Sequence, residues 1–162
     1  MAMTFPHHYD VCLTWSGDSA ARISAGGRPS IEGGAPPEFG GSDAWWSPEH
    51  LLLSSVGLCF ATTFQAFARR RGLTVDGLSC RAEVALEKLA TGPAFSGLVL
   101  HVQAHVPKVE DEPIARQLLE QAKKHCIVGN ALMPPVHLEA MVLVSPAGPR
   151  TPDRRIACPD AA

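Results

Sequence analysis

The sequence predicts an α+β fold that contains an antiparallel sheet, a long central helix and a second helix. Apolar residues recur at helical spacing over residues 48–71. Two alternating segments flank the turn-like sequence ATGPAFSG at residues 90–97, which predicts an antiparallel hairpin. A second helical pattern, at about residues 110–125, precedes one more alternating segment.

Three short strands are predicted before the long helix. The segment YDVCLTW, residues 9–15, alternates so that Val11, Leu13 and Trp15 share one side of a strand. The turn SGDS follows, and ARISA at residues 21–25 is the second strand. The density of glycine and proline over residues 26–41 forbids a helix but leaves room for a short strand near residues 29–32.

The long helix has clear signals at both ends. Ser47 is a favourable N-cap, Pro48 suits the first helical position, and Glu49 complements the positive end of the helix. Three arginines at residues 69–71 occupy the last turn, and Gly72 follows them as the residue that ends the helix. The residues at helical spacing are Leu52, Val56, Cys59, Phe60, Thr63 and Phe67.

The later elements are predicted from the faces that their alternating or helically spaced residues form. One face of the first hairpin strand carries Cys80, Ala82, Val84 and Leu86. One face of the second strand carries Leu98, Leu100, Val102, Ala104 and Val106. The second helix aligns Ile114, Leu118, Ala122 and Cys126. The last strand aligns Val136, Leu138, Ala140, Val142 and Val144.

Length and composition favour one globular domain over residues 1–144. The last segment, residues 145–162, is rich in proline and charge without apolar periodicity, which predicts a disordered tail in which Cys158 is incidental. A net charge of −2 gives no electrostatic reason to expect a nucleic acid or an anionic membrane as partner. No apolar run approaches the roughly 20 residues of a membrane helix, and the N-terminus lacks signal-peptide features, so we expect a cytoplasmic protein.

The cysteines and histidines limit the possible chemistry. Five cysteines, an odd number at wide spacings, make a disulfide framework improbable, so any disulfide is expected to be transient. The chain has no CxxC pair and its histidines are scattered, so neither a metal site nor a cofactor is predicted.

Two cysteines remain as candidates for chemistry. Cys59 lies on the apolar helix, where a small buried cysteine of the core is the simpler interpretation. Cys126 ends the second helix beside His125 and would face the negative end of the helix dipole, which disfavours the thiolate. In a two-cysteine cycle Cys126 would therefore suit the second, resolving role.

Three motifs resemble those of the OsmC/Ohr family, which includes osmotically inducible protein C and the organic hydroperoxide resistance proteins. SPEHLLLSSVGLCF at residues 47–60 resembles the family signature, in which Pro-Glu opens a long helix and a cysteine lies ten residues after the glutamate. QAKKHCIVGNAL at residues 121–132 resembles the second-cysteine motif, and LTWSGD at residues 13–18 resembles the N-terminal strand and turn. The resemblance covers roughly residues 9–144.

This resemblance implies an OsmC-like fold, an intertwined homodimer and a thiol peroxidase that reduces organic hydroperoxides. Cys59 would be the peroxidatic cysteine, which becomes a sulfenic acid, and Cys126 would condense with it to a disulfide. The family is typically reduced by lipoylated proteins, so a dithiol of that class is the expected partner. The alternative is a non-catalytic small-molecule binder or thiol redox sensor with the same fold.

The family also uses a glutamate and an arginine beside the cysteine. Glu49 matches the glutamate, whereas the arginine is either Arg22, whose register is shifted by about one residue, or Arg28 in the glycine-rich loop. Many relatives have a proline directly after the second cysteine, where this chain has Ile127. Apolar residues near the helix start would surround the substrate, and two of these could instead pack a dimer interface. These apolar residues are Trp45, Trp46, Leu51, Leu52 and Phe60. The two that could pack a dimer interface are the tryptophans.

The spacing of Glu49 and Cys59 has a geometric consequence. Ten residues of continuous helix place them about 15 Å apart along the axis and roughly 80° apart around it. A glutamate side chain cannot close that gap within its own helix. If both residues serve one active site, Glu49 must reach the cysteine of a partner subunit or position an arginine that does, which predicts a two-fold dimer.

Overall fold

The computed structural model describes residues 5–17 and 20–144, so the predicted tail with Cys158 lies outside the described residues, as do two residues of the SGDS turn. The chain divides into two units, Met1–Leu52 and Leu53–Ala162, which are described in turn. The prediction of one domain over residues 1–144 with a separate tail stays a prediction.

The first unit contains a three-stranded antiparallel sheet. Its strands are β1 (Cys12–Trp15), β2 (Ala21–Ser24) and β3 (Ile31–Gly33), in that spatial order. These are the three short strands predicted from the sequence, and a short 3-10 helix (Pro37–Phe39) follows them. The apolar side predicted for the first strand is exposed in the single protomer, since Leu13 is 62% and Trp15 68% exposed.

Helix α1 (Pro48–Arg71) has the bounds that the sequence predicted. Ser47 caps its start, because the backbone N–H of His50 donates to Ser47 Oγ at 3.2 Å. At the other end Gly72 adopts a φ of 67°, a left-handed conformation that suits glycine, and Leu73 N–H donates to the Ala68 carbonyl at 3.0 Å. Both ends are therefore determined by local interactions that can be recognised in the sequence.

The second unit contains a sheet with the strand order β4-β5-β6. Strands β4 (Gly77–Leu89) and β5 (Gly92–Val106) pair antiparallel, as predicted. Strand β6 (Val136–Val144) pairs with β5 in parallel, so the prediction of a wholly antiparallel sheet is wrong at this edge. Alternation reveals which residues share a face but not the direction of a strand, which here depends on the crossover formed by residues 107–135.

The hairpin turn is tighter than predicted. Leu89 pairs with Gly92, so only two residues connect the strands, and most of the ATGPAFSG segment belongs to β5. Gly92 has a φ of 119°, which a residue with a side chain rarely adopts.

Helix α2 (Glu112–Lys124) and a four-residue helix α3 (Ile127–Asn130) form the crossover, after a 3-10 turn at Val109–Asp111. The sequence predicted one helix over residues 110–125 and missed α3. Ala115 and Leu119 are buried together with the predicted Leu118 and Ala122, whereas Ile114 is 42% exposed, so the buried face is shifted from the predicted one.

The core of the second unit lies between these helices and one face of the sheet. Strand β5 supplies the alternating residues predicted for it, all of them buried. Helix α1 contributes residues four positions apart, and Cys59 and Phe67 flank this stripe as partly buried neighbours. The buried residues of α1 are Val56, Phe60, Phe64 and Ala68.

Helix α1 also satisfies a simple test for a membrane span. An 18-residue window has a mean hydropathy of 1.6, because the measure tolerates the serines, threonines and glutamine that interrupt the segment. This evidence is weak, since the core helix of a soluble protein passes the same test and α1 carries four core residues. The expectation that no membrane is a partner stays a prediction.

Candidate active site

Cys59 lies near the middle of α1, partly buried against the core of the second unit. Its backbone carbonyl accepts hydrogen bonds from the hydroxyls of Thr62 at 3.1 Å and Thr63 at 2.8 Å. Both hydroxyls are therefore directed at the helix backbone. The Cys59 side chain is a free thiol in this structure.

Cys126 is placed differently from its prediction. Helix α2 ends at Lys124, and Cys126 is the N-cap of α3, with Gly129 N–H donating to its sulfur at 3.4 Å. The prediction that this thiol faces the negative end of the second helix is wrong. The chain turns at His125 and begins a new helix, so the sulfur receives a backbone N–H from the first turn of α3 instead of facing the last carbonyls of α2.

The structure brings the two candidate cysteines together. Cys126 is 3% exposed, and its thiol points at the Val56 carbonyl of α1 at 3.9 Å. Val56 lies one turn before Cys59 on the same helix, and the Cys59 thiol is near enough to raise the pKa of Cys126.

The ionisation of Cys126 is controlled by opposing effects. Burial raises the pKa of the Cys126 thiol above its ordinary value, and the neighbouring Cys59 raises that pKa further. The backbone N–H groups of Gly129 and Val128 oppose this shift but do not reverse it. Burial, rather than a helix dipole, is therefore what disfavours the Cys126 thiolate, and the resolving role of Cys126 stays a prediction.

Gly129 is a site residue that the sequence analysis missed. A Cβ at this position would lie 3.2 Å from the Cys126 sulfur and 3.4 Å from Val136 Cγ2. The glycine therefore allows the close approach of α3 to the sulfur. Its position three residues after the cysteine is the spacing between an N-cap and the N–H that the cap receives, and this was the available signal.

Ile127 stands where many relatives have proline. It is the first residue of α3, a position at which the backbone N–H has no partner within a helix. Proline and isoleucine are therefore both compatible with this backbone.

Glu49 lies in the first turn of α1, within the first unit. Its Oε2 atom is buried and has no hydrogen-bond partner among residues 5–17 and 20–144. A buried carboxylate oxygen without a donor is unfavourable, so this atom is suited to receive one. A guanidinium group would provide such a donor.

The two candidate arginines are both in the first unit and both exposed. Arg22 lies on β2, opposite Glu32 of β3, and its Nη1 donates to Ser30 Oγ at 3.0 Å. Arg28 turns back on its own loop, where Nη1 donates to the Gly26 carbonyl at 2.8 Å. Arg22 is held on a regular strand, whereas Arg28 is held by its own turn, and the choice between them stays open.

The residues of the predicted apolar surround are divided between the two units, with Phe60 in the second and the others in the first. Phe60 is fully buried in the core, and Trp46 is 49% exposed with its ring edge-on to His50 at 6.5 Å between centroids. No group of three or more metal-ligating side chains occurs within the described part of the chain.

The comparisons with known proteins agree with this architecture. The family model described as OsmC-like protein matches residues 40–140. Among curated proteins, none matches the chain at a significant level. An OsmC-like protein of unknown function from Vibrio cholerae superposes with a TM-score of 0.75 at 17% identity, covering 84% of this chain and 100% of that one.

Two further solved structures have descriptive names. An organic hydroperoxide resistance protein OsmC from Legionella pneumophila has a TM-score of 0.64 and 21% identity, over 86% of this chain and all of that one. The organic hydroperoxide resistance protein OhrB of Bacillus subtilis has a TM-score of 0.59 and 20% identity, over 83% and 98% of the two chains. At these identities the structures establish a common fold. Because the family model spans more than half of the sequence and the fold agrees with it, the chain belongs to the OsmC-like family.

Proposed function

We propose that this protein is a cysteine-based thiol peroxidase that reduces organic hydroperoxides to alcohols. The observation that carries the proposal is the position of Cys126, whose thiol points at the Val56 carbonyl one helical turn before Cys59 and whose pKa is raised by the neighbouring Cys59. Two similar structures are organic hydroperoxide resistance proteins, which supports this substrate class. The proposal includes a cytoplasmic location and no nucleic-acid partner.

The chemistry assigns a different role to each sulfur. The Cys59 thiolate attacks the distal oxygen of the hydroperoxide, the O–O bond breaks, and the leaving alkoxide takes up a proton to give the alcohol. Cys59 is then a sulfenic acid. The Cys126 sulfur attacks it, water leaves, and a Cys59–Cys126 disulfide forms. An external dithiol, on our proposal one carried by a lipoylated protein, returns both cysteines to thiols.

Glu49 and an arginine assist Cys59 in this proposal. The buried, unpartnered oxygen of Glu49 would hold a guanidinium group, either that of Arg22 or that of Arg28, which would favour the thiolate and stabilise the developing alkoxide. Because Glu49 cannot reach Cys59 along one helix, we propose a two-fold homodimer. The exposed apolar side of β1 offers a surface for its formation.

Single-turnover kinetics with cumene hydroperoxide test the assignment. We expect Cys59→Ser to abolish oxidation, whereas Cys126→Ser should still consume about one equivalent of peroxide, because the attacking sulfur remains. Cys12→Ser is the matched control, since Cys12 is an exposed thiol of the first unit. Equal rates for wild type and Cys59→Ser would refute the proposal.

A second measurement separates an enzyme from a sensor. With dihydrolipoamide present, we expect repeated turnover that is faster with cumene hydroperoxide than with hydrogen peroxide, because apolar contacts add about 0.8 kcal/mol per buried methylene. One round of disulfide formation without turnover would instead indicate a thiol redox sensor. Binding without oxidation would indicate a small-molecule binder.

A further inference from the structure

A cleft of about 710 Å³ opens beside Cys126 in the second unit. Its apolar wall includes Phe60, Leu100 and Val136, and Gly129 lies where the cleft meets the cysteine. Lys123 and Lys124 also line it, from the end of α2. Cys126 is among the lining residues, whereas Cys59 is not among the described residues that line it.

The position of the cleft distinguishes the two cysteines, because Cys126 lines it and Cys59 is not among its described lining residues. A thiolate that reduces a disulfide must approach one sulfur from the side opposite to the other sulfur, along the axis of the bond that breaks. The cleft is lined by Cys126, which is 3% exposed, and not by Cys59, so it approaches the bond between them from the Cys126 side. It does not give equivalent access to Cys59, where the hydroperoxide must react.

We propose that this cleft is the entry site for the reducing dithiol, which attacks Cys126 rather than Cys59. The inference rests on the proposed function, because it concerns how the oxidised protein is returned to its dithiol form. It assigns separate routes to the two reagents: the hydroperoxide reaches Cys59, and the reductant reaches Cys126 through the cleft.

The steps balance as two thiol–disulfide exchanges. One thiolate of the dithiol forms a bond to Cys126 Sγ, the Cys59–Cys126 bond breaks, and Cys59 leaves with the electron pair. The second thiol of the reductant then attacks its own mixed disulfide and closes a cyclic disulfide. Cys126 leaves and takes up the proton, so the reductant loses two electrons and two protons to the protein.

The preferred leaving group agrees with this direction. A thiol of lower pKa leaves faster in disulfide exchange, and burial raises the pKa of Cys126. Attack on Cys59 would require Cys126 to leave, which is the unfavourable case. When the reductant attacks Cys126, Cys59 is the leaving group of the first step. Cys126 leaves only in the second step, which is accelerated because the second thiol of the reductant is already held beside the mixed disulfide.

The charges of the cleft indicate which dithiols enter it most readily. Lys123 and Lys124 provide two positive charges, and Glu120 is the single acidic side chain among the lining residues that the structure describes. An excess of positive charge attracts an anionic reagent and accelerates its association. Dihydrolipoate, which carries a carboxylate, should therefore react faster than neutral dihydrolipoamide.

The point of attack can be mapped directly. The protein is first oxidised with diamide, which forms the disulfide without any peroxidase activity, then treated briefly with 2-mercaptoethanol and quenched with N-ethylmaleimide. Peptide mass mapping should find the mercaptoethanol adduct on Cys126 and the maleimide on Cys59. The reverse labelling would overturn the inference. Failure of cumene hydroperoxide to oxidise a protein that diamide does oxidise would instead refute the proposed function alone.

Charge reversal tests the cleft itself. In the diamide-oxidised protein, the double variant Lys123→Glu/Lys124→Glu should be reduced by dihydrolipoate about tenfold more slowly than wild type, with a smaller effect for dihydrolipoamide. Lys88→Glu is the control. It reverses the charge of one lysine at an exposed position on β4 that is not part of the cleft. Equal slowing by the double variant and by Lys88→Glu, or equal slowing with both reductants, would contradict entry through this site.

Discussion

The sulfur of Cys126 is subject to local effects that act in opposite directions. Removal from water disfavours the thiolate, while the Gly129 N–H that donates to the sulfur favours it, and the net result is a raised pKa. A resolving cysteine needs only to attack a neighbouring sulfenic acid, so a fully ionised thiol is not required. The raised pKa also limits unwanted reactions of Cys126 before Cys59 is oxidised.

His101 on β5 is held between two carboxylates on the exposed face of the second sheet. Its Nδ1 lies 2.9 Å from Glu139 Oε2, and its Nε2 lies 3.0 Å from Glu83 Oε1. The second contact is short, although its geometry is poorer than that of an ideal hydrogen bond. Interaction with His101 is the main reason that the pKa of Glu83 lies below its ordinary value, and Arg81 contributes less.

This depressed pKa predicts how stability depends on pH. Glu83 stabilises the fold at pH above its ordinary pKa of 4.5, and that contribution is lost as the pH falls through its lower, folded-state pKa. We expect Glu83→Gln to lower Tm in mildly acidic solution and to have little effect in strong acid, where Glu83 is protonated. The shift should be small, because the pair is exposed to solvent.

Thermal melts across this pH range check the prediction. Glu87→Gln removes the same charge on the same strand, opposite Ala94 and not opposite His101 or its neighbours. The same dependence on pH in both variants would show that His101 has no specific role.

Helix α1 places its functional residues by regular spacing. A stripe of residues four positions apart is buried in the core, and Cys59 lies next to this stripe, partly buried. The position of Cys126 depends instead on the junction between α2 and α3, where Asn130 Nδ2 also donates to the Lys124 carbonyl at 2.9 Å. One cysteine is therefore placed by a long helix and the other by a helix junction.

The loop before α1 depends on a glycine that the sequence did not single out. A Cβ at Gly41 would overlap the backbone carbonyl of Ala35. A backbone overlap cannot be relieved by a side-chain rotation, so the loop would have to shift. We expect Gly41→Ala to lower the free energy of unfolding by about 1–3 kcal/mol, the usual cost of overpacking.

Denaturant unfolding measures this cost. Gly26→Ala is the matched control, since a Cβ there would meet no atom within 4 Å, and its effect should stay within about 0.5 kcal/mol. If both variants unfold at the same denaturant concentration, the close approach of Gly41 to Ala35 does not constrain the loop.

At the scale of the whole molecule, the proposed active site requires a second chain. Helix α1 is continuous from Pro48 to Arg71, so the separation of Glu49 and Cys59 by about 15 Å along the axis holds in the folded helix. The buried oxygen of Glu49 without a donor, and the exposed Leu13 and Trp15 of β1, are the features of a single protomer that a partner would complete.

Mixed subunits test whether Glu49 acts across an interface. Glu49→Ala and Cys59→Ser homodimers should each be inactive or strongly impaired. Refolded together, they should regain activity in proportion to the mixed dimers, because one of the two sites then contains both residues intact. Gel filtration provides the accompanying measurement of oligomeric state. A monomer with full turnover would exclude this arrangement, and a dimer without regained activity would show that Glu49 does not act on Cys59 across the interface.

The elements and their faces could be predicted from the sequence because they depend on neighbouring residues. Ser47, Pro48 and Gly72 determine the bounds of α1, and the alternation of Leu98, Leu100 and the residues that follow determines the buried face of β5. The family motifs also indicated the two cysteines, and the structure places the Cys126 thiol against α1 one turn before Cys59. These features can be predicted without knowing which distant segments of the chain pack together.

The tertiary structure alone decided the direction of β6, the cap formed by Cys126 and the cleft beside it. Each of these depends on where the chain goes after residue 124. Helix α2 ends, α3 begins at Ile127, and the crossover returns the chain so that β6 runs parallel to β5. Local periodicity is unchanged if a strand is reversed or a helix is divided, so the sequence pattern cannot distinguish these cases. The energy of packing between distant segments determines which of them occurs.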